Sequence, residues 1–198
     1  NSEDMIASAL QSLAASGLFA AGSLDRHRDE LARIRAAMPW DSSSLVSSHN
    51  DPNPRNLLFD GARLWLVDWE LASRNDPLFD LAIATTEIAD TPDLEAALLA
   101  AATGRYPDAT LRARVRVVRQ LTRLFYGCIA LDAAGAGRPD RYDNRDAMSP
   151  AQFKAAASQA SLAPDEIGYA FGKMSLAAFI DGCSTREFEQ SLAVAARA

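Results

Sequence analysis

Between His49 and Asp80 the chain gathers side chains whose types and order could do chemistry. The stretch reads His49-Asn50-Asp51-Pro52-Asn53-Pro54-Arg55-Asn56, then Val67-Asp68-Trp69-Glu70, then Asn75-Asp76-Pro77-Leu78-Phe79-Asp80. Asp51, on a loop, can accept the proton of an attacking alcohol. Asn56 offers a neutral carbonyl oxygen and Asp68 a carboxylate, a pair suited to Mg²⁺ beside phosphates because the amide adds no further negative charge. A base with an oxygen-only metal set fits transfer of a γ-phosphoryl group to a hydroxyl, which asks the catalyst mainly to position the acceptor and offset charge. A metal-dependent hydrolase could use the same acids, but no nucleophile arrangement accompanies them.

Short elements must hold these groups. Leu45-Val46-Ser47 reads as a strand leading into the loop, and Leu57-Leu58-Phe59 as a strand leaving it. Asp60-Gly61 closes a hairpin whose return strand, Leu64 to Val67, delivers Asp68. His49 reads as a brace for the loop through hydrogen bonds, in preference to a direct chemical role. Pro52 and Pro54 stiffen the connection between base and ligand. Arg55 could face phosphate or pair with Asp76 or Asp80, and the salt bridge is the favoured reading. The remainder is helical: Met5, Ile6, Leu10, Leu13 and Leu18 recur at helical spacing, as do Leu31, Ile34, Arg35 and Met38. Thr91-Pro92, Ser149-Pro150 and Ala163-Pro164 read as helix starts, and Ser184-Thr185-Arg186-Glu187 as a capping box. Leu111 to Ala133 carries Val115, Val118, Leu121, Leu124, Phe125 and Cys128 on one stripe, as a buried central helix would. Gly135 to Asp146 lacks an apolar period and reads as a mobile surface loop or a disordered tract.

The order His-x-Asp-x-x-x-x-Asn followed by a second acidic ligand resembles protein kinases. His-Asn-Asp, Val-Asp-Trp-Glu and Asn-Asp-Pro-Leu-Phe-Asp-Leu-Ala together resemble the aminoglycoside phosphotransferase and choline/ethanolamine kinase family, most of all its bacterial choline-kinase-like branch. The resemblance implies an α+β, mostly helical fold: the C-terminal lobe of a protein-kinase-like fold with a short β-hairpin carrying the catalytic loop. It implies Asp51 as catalytic base, Asn56 and Asp68 as magnesium ligands, and Asp80 as the residue that buttresses the loop from a helix start. ATP, Mg²⁺, a small-molecule alcohol and a cytoplasmic location follow from the same likeness.

Glu87 stands where choline-type kinases place an acid against the substrate's cationic head, two turns past Asp80 on the same helical face. Glu70 is a second candidate of that kind, and for both a solvated or salt-bridged role is the alternative. Trp40, Trp65 and Trp69 lie near or before the motif and no aromatic cage is recognisable downstream, which favours a primary amine or amino alcohol over choline. The family's N-terminal nucleotide lobe has no counterpart. The 48 residues before His49 contain Gly17 and Gly22 but no lysine, and read as helices. Residues 1–198 are therefore expected to be the C-terminal lobe of a longer polypeptide, poorly active alone. The alternative is a non-catalytic binding or scaffold module that kept the loop for packing.

At 198 residues, 48% hydrophobic and 23% charged, the chain can bury one sizeable core. Its net charge of −6 argues against nucleic acid and suits a cationic substrate. No run of about 20 apolar residues suggests a membrane span or a signal peptide. Cys128 and Cys183 are isolated and read as reduced core thiols. His27, between Arg26 and Arg28, reads as part of a solvated helix face.

Overall fold

Helices dominate because apolar residues recur at the helical period and most starts are capped. The computed structural model describes residues 2–38, 42–89, 91–135 and 147–197. Its elements are α1 (Ser2–Ala15), α2 (Asp25–Ala37), β1 (Val46–Ser48), β2 (Leu57–Phe59), β3 (Leu64–Leu66), β4 (Ser73–Asn75), α3 (Pro77–Glu87), α4 (Pro92–Thr103), α5 (Ala109–Gly135), α6 (Pro150–Ser158), α7 (Pro164–Cys183) and α8 (Arg186–Ala195). Trp40 and the loop expected after Gly135 lie outside the described residues; Gly135 itself ends α5.

The chain divides into two compact units. One comprises residues 1–2, 37–122 and 190–198, and it holds all four strands. Here β1 pairs antiparallel with β4, Val46 opposite Asn75, while β2 pairs antiparallel with β3, Leu57 opposite Leu66. Asp76 caps α3 by accepting the Leu78 N–H, with Pro77 at the first helical position. Thr91 caps α4 in the same way, and Gly104, at φ 70°, ends it in the left-handed conformation. Leu78, Phe79, Ala82, Ile83, Leu99, Val115, Val117, Val118 and Leu121 form the buried apolar set of this unit. Glu95 of α4 pairs with Arg119 of α5 at 2.8 Å.

The other unit comprises residues 3–36 and 123–189. Ile6, Leu10, Leu13, Leu31, Ile34, Leu124, Leu131, Leu176 and Phe179 are buried in it. α5 and α7 meet closely at glycines. A Cβ on Gly172 would lie 2.5 Å from Leu131 Cγ, and one on Gly127 would lie 2.8 Å from Leu176 Cδ2. Cys128 and Cys183 are buried free thiols, and burial pushes both up to about 12.

Three expectations need correction. His27 is 2% exposed, stacked on Phe179 with centroids 5.9 Å apart, instead of solvated. Its position follows from the helical period, since His27, Leu31, Ile34 and Met38 share the buried face of the α2 segment. Neither ring nitrogen has a well-aligned hydrogen bond, and burial drives the pKa down to about 4, a nearby Leu176 backbone group opposing this and Arg26 adding to it. At the start of α8 the cap is Thr185, whose hydroxyl accepts the Phe188 N–H, one residue after the expected Ser184. The Ser184 hydroxyl instead donates back to the Ile180 carbonyl, so no Ser184–Glu187 box forms. Finally, Arg55 is exposed and does not pair with Asp76 or Asp80. Asp76 is faced by Arg114 at 4.0 Å, and both oxygens of Asp80 accept backbone N–H groups.

Candidate active site

The loop from His49 to Asn56 leaves β1 and turns sharply at Asn50, whose φ of 66° puts a non-glycine residue in the left-handed region. Asparagine tolerates that region better than most residues because its short polar side chain can hydrogen-bond locally. Two anchors hold the turn from below. The Asp80 carboxylate, in the first turn of α3, accepts the His49 N–H at 2.8 Å through Oδ2 and the Asn50 N–H at 2.7 Å through Oδ1. His49 is buried; its Nε2 donates to the Val67 carbonyl at 2.8 Å, which leaves Nδ1 to accept the Asp51 N–H at 3.2 Å. Trp69 packs edge-on against the His49 ring, with centroids 4.7 Å apart, and its indole N–H donates to the Leu66 carbonyl.

Asp51, the residue after the turn, is half-buried. Its Oδ1 accepts the Asn53 side-chain amide at 2.8 Å and its Oδ2 the Asn56 amide at 3.0 Å. One amide on each oxygen orients the carboxylate. Asn56 ends a short 3₁₀ turn, Pro54–Asn56, capped by Asn53, whose side chain accepts the Arg55 N–H. Pro54 therefore sits at the first position of the turn, where its missing donor matters least, and the loop closes on itself between Asp51 and Asn56.

Asn56 is buried and directs Nδ2 at both the backbone carbonyl and the carboxylate of Asp51. That orientation turns its Oδ1 away from Asp51. One step beyond the β2–β3 ladder, the Val67 N–H donates to the Asn56 carbonyl at 2.9 Å, so Asp68 directly follows the residue bonded to Asn56. Asp68 is exposed and, at φ 64°, is the second left-handed non-glycine residue of the site. Amide and carboxylate oxygens suit magnesium, a hard cation that usually takes one or two protein groups and completes its shell with phosphates and water. Among the described residues no group of three or more His, Cys, Asp or Glu side chains could form an all-protein cage. The oxygen donors of Asn56 and Asp68 are of the kind magnesium takes.

The hairpin turn is built by Asp60. Its Oδ1 accepts the Ala62 and Arg63 N–H groups, and its Oδ2 accepts the Trp65 indole at 2.7 Å. The indole, then the Arg63 and Ala62 amides, hold the Asp60 carboxyl below its usual range. Leu58, Phe59, Leu64 and Trp65 of this hairpin are all exposed, Phe59 by 70%. Glu70, two residues past Asp68, is exposed in the turn that follows. Glu87 is exposed at the far end of α3, seven residues from Asp80, or about 10 Å along the helix axis. The loop, Asn56 and Asp80 are thus brought together by hydrogen bonds and Asp68 by chain adjacency, whereas Glu87 stands apart from that set.

Two features of the site escaped sequence reasoning. Strand β4, Ser73–Asn75, is polar and three residues long, so it carries no period-2 signal. The second is a pair of fully buried asparagines, Asn50 and Asn75, joined at 2.6 Å. The one available clue was that both occur inside the motif segments.

Comparison with known proteins gives matches of three kinds. A profile described as the phosphotransferase enzyme family matches residues 4–117. Protein LicA of Haemophilus influenzae strain ATCC 51907 / DSM 11121 / KW20 / Rd is 49% identical over 43 residues, 22% of this chain and 16% of that protein. A second Haemophilus influenzae protein LicA is equally similar over 13% of its length. The crystal structure of a choline/ethanolamine kinase family protein from Mesorhizobium loti superimposes on the whole chain with a TM-score of 0.70 and 24% identity. This chain covers 59% of that structure, so it spans well under two thirds of each relative named here. The likeness to the solved structure is one of fold: a mostly helical chain with small antiparallel sheets, as in the C-terminal lobe of a kinase-like fold.

Proposed function

The chain belongs to the phosphotransferase enzyme family, and we propose that it is the catalytic and acceptor-binding half of an ATP-dependent small-molecule kinase acting in the cytoplasm. In this reading the acceptor's hydroxyl oxygen attacks the γ-phosphorus, the bond to the ADP oxygen breaks, and the hydroxyl proton passes to the Asp51 carboxylate. Asn53 and Asn56 hold that carboxylate through one amide on each oxygen. Asn56 Oδ1 and the Asp68 carboxylate would hold magnesium, which offsets charge on the triphosphate. His49 and Asp80 keep the loop in register through the hydrogen bonds described above. Glu70 and Glu87 are the candidate contacts for an amine on the acceptor, whose class is choline/ethanolamine-like or aminoglycoside-like. The exposed apolar hairpin is a surface that a nucleotide-binding lobe would cover, and on that ground residues 1–198 alone should turn over poorly.

One observation carries the reading: Asp51 and Asn56, expected as base and ligand, share a direct hydrogen bond, and Asn56 is bonded across the hairpin to the residue before Asp68. The test is ADP release from Mg·ATP by the complete polypeptide that carries this segment, screened against choline, ethanolamine, aminoglycosides, macrolides, sugars and thiamine. Acceptor-dependent release with one class is expected. No release above the ATP-only background with any of them, from folded protein that binds nucleotide, would favour the scaffold alternative.

A further inference from the structure

Asn50 does more than turn the chain. Its backbone is left-handed, and its side-chain carboxamide lies fully buried between three pieces of the site. The amide nitrogen donates to the Leu71 carbonyl at 2.7 Å and to Ser73 Oγ at 2.9 Å, and the amide oxygen accepts from Asn75 Nδ2 at 2.6 Å. Leu71 lies three residues after Asp68, in the turn closed by the Ala72 N–H to the Trp69 carbonyl. Asn75 is itself fixed, because its Oδ1 accepts the N–H of Asp76, the cap of α3. Since Asn75 Nδ2 must donate, the carboxamide of Asn50 has one usable orientation, with oxygen toward Asn75 and nitrogen toward Leu71.

We propose that Asn50 and Asn75 are positioning residues that lock the backbone turn before Asp51 to the turn after Asp68, so that base and metal-binding carboxylate keep one relative placement. The idea rests on the reading of Asp51 as base and Asp68 as ligand. Neither asparagine touches the reacting atoms. Both left-handed residues of the site, Asn50 and Asp68, lie next to or within three residues of groups in this network. Backbone in that region persists when its surroundings over-determine it, and a buried, multiply bonded carboxamide does so. Asp80 holds the same turn through backbone N–H groups and His49 Nε2 ties it to Val67, just before Asp68, while the Asn50 side chain ties it to Leu71, in the turn after Asp68.

The test uses the complete polypeptide, with Mg·ATP and whichever of choline, ethanolamine and kanamycin gives the largest ADP release. Asn50→Gly suits the left-handed backbone and keeps the N–H to Asp80 while deleting the carboxamide. Its kcat should fall about 10- to 100-fold, the scale of a small misplacement of catalytic groups. KM for ATP and acceptor should stay within about twofold. Adding Asn75→Ala should lower kcat by no more than about a further twofold, because both changes break the same link. Ser73→Ala removes one partner from a more exposed strand and should cost about 3- to 10-fold in kcat, which keeps the idea testable if Asn50→Gly folds poorly. Unchanged kcat in Asn50→Gly, or in Ser73→Ala where Asn50→Gly does not fold, overturns the proposal, as does loss of activity only in proportion to protein unfolded. Asp51→Asn serves as control. If it abolishes turnover while the Asn50 variant is fully active, the positioning role alone fails; if it turns over normally, the assignment of the base fails and this inference with it.

Discussion

Removing the Asp80 carboxylate should loosen the loop that carries Asp51 by an amount the hydrogen bonds set. The side chain accepts two backbone N–H groups at 2.8 and 2.7 Å, from residues that are 2% and 0% exposed. Bonds to an ionised acceptor contribute about 1.5–3 kcal/mol each, so Asp80→Ala forfeits roughly 3–6 kcal/mol before water is considered. Asp80 is only half-buried. Water entering the space left by the side chain recovers about half of this, and loss of a negative charge in the first turn of α3 returns about 0.5 kcal/mol to the cost. A net weakening of about 2–3.5 kcal/mol follows. Amide hydrogen exchange on residues 1–198 reads it directly, as a drop of that size in the opening free energy at His49 and Asn50. Amides in the centre of α5 should change less. Asp80→Asn keeps one acceptor oxygen and should cost at least half as much. Exchange at His49 and Asn50 that matches wild type within about 0.5 kcal/mol would refute the view that Asp80 supports the loop.

Other expectations are more local. His27 has a pKa near 4 when folded against an ordinary 6.5, so the unfolded chain binds the extra proton first. Stability is therefore full above pH 6.5 and falls as pH drops toward 4, by about 2 kcal/mol at pH 5 from this residue alone. Urea midpoints at pH 7 and pH 5 for wild type and His27→Phe measure it; the variant should lose less. Gly172→Ala would set a Cβ 2.5 Å from Leu131 Cγ and 3.1 Å from the Gly127 carbonyl, and should cost about 1–3 kcal/mol in thermal unfolding. With thiols raised to about 12 and buried, Cys128 and Cys183 should resist Ellman's reagent at pH 8 until the protein is denatured, when both react.

The helices were legible because period and caps agree: Val115, Val118, Leu121, Leu124, Phe125 and Cys128 all lie buried along α5, and Thr91 and Ser149 cap where they were read. The hairpin was equally plain, since Asp60-Gly61 separates two apolar runs. What failed was reading by neighbours. The arginines beside His27 suggest a solvated face, although the residues three to four positions apart decide which face it occupies. Arg55 was paired by charge alone, while Asp80 had nearer partners in backbone N–H groups that no composition argument exposes. The Asn50–Asn75 link joins residues 25 apart through side chains that propensity treats as turn formers, so it emerges only in the folded chain.

The central claim is that the Asp51 carboxylate takes the acceptor's proton. It is tested most directly by following the phosphorylated acceptor with ³¹P NMR, using the complete polypeptide and its Asp51→Asn variant at equal Mg·ATP. The wild type should form product and the variant should do so about 10²–10⁴-fold more slowly, with the fold and nucleotide binding intact. Product formed by the variant at the wild-type rate would contradict it.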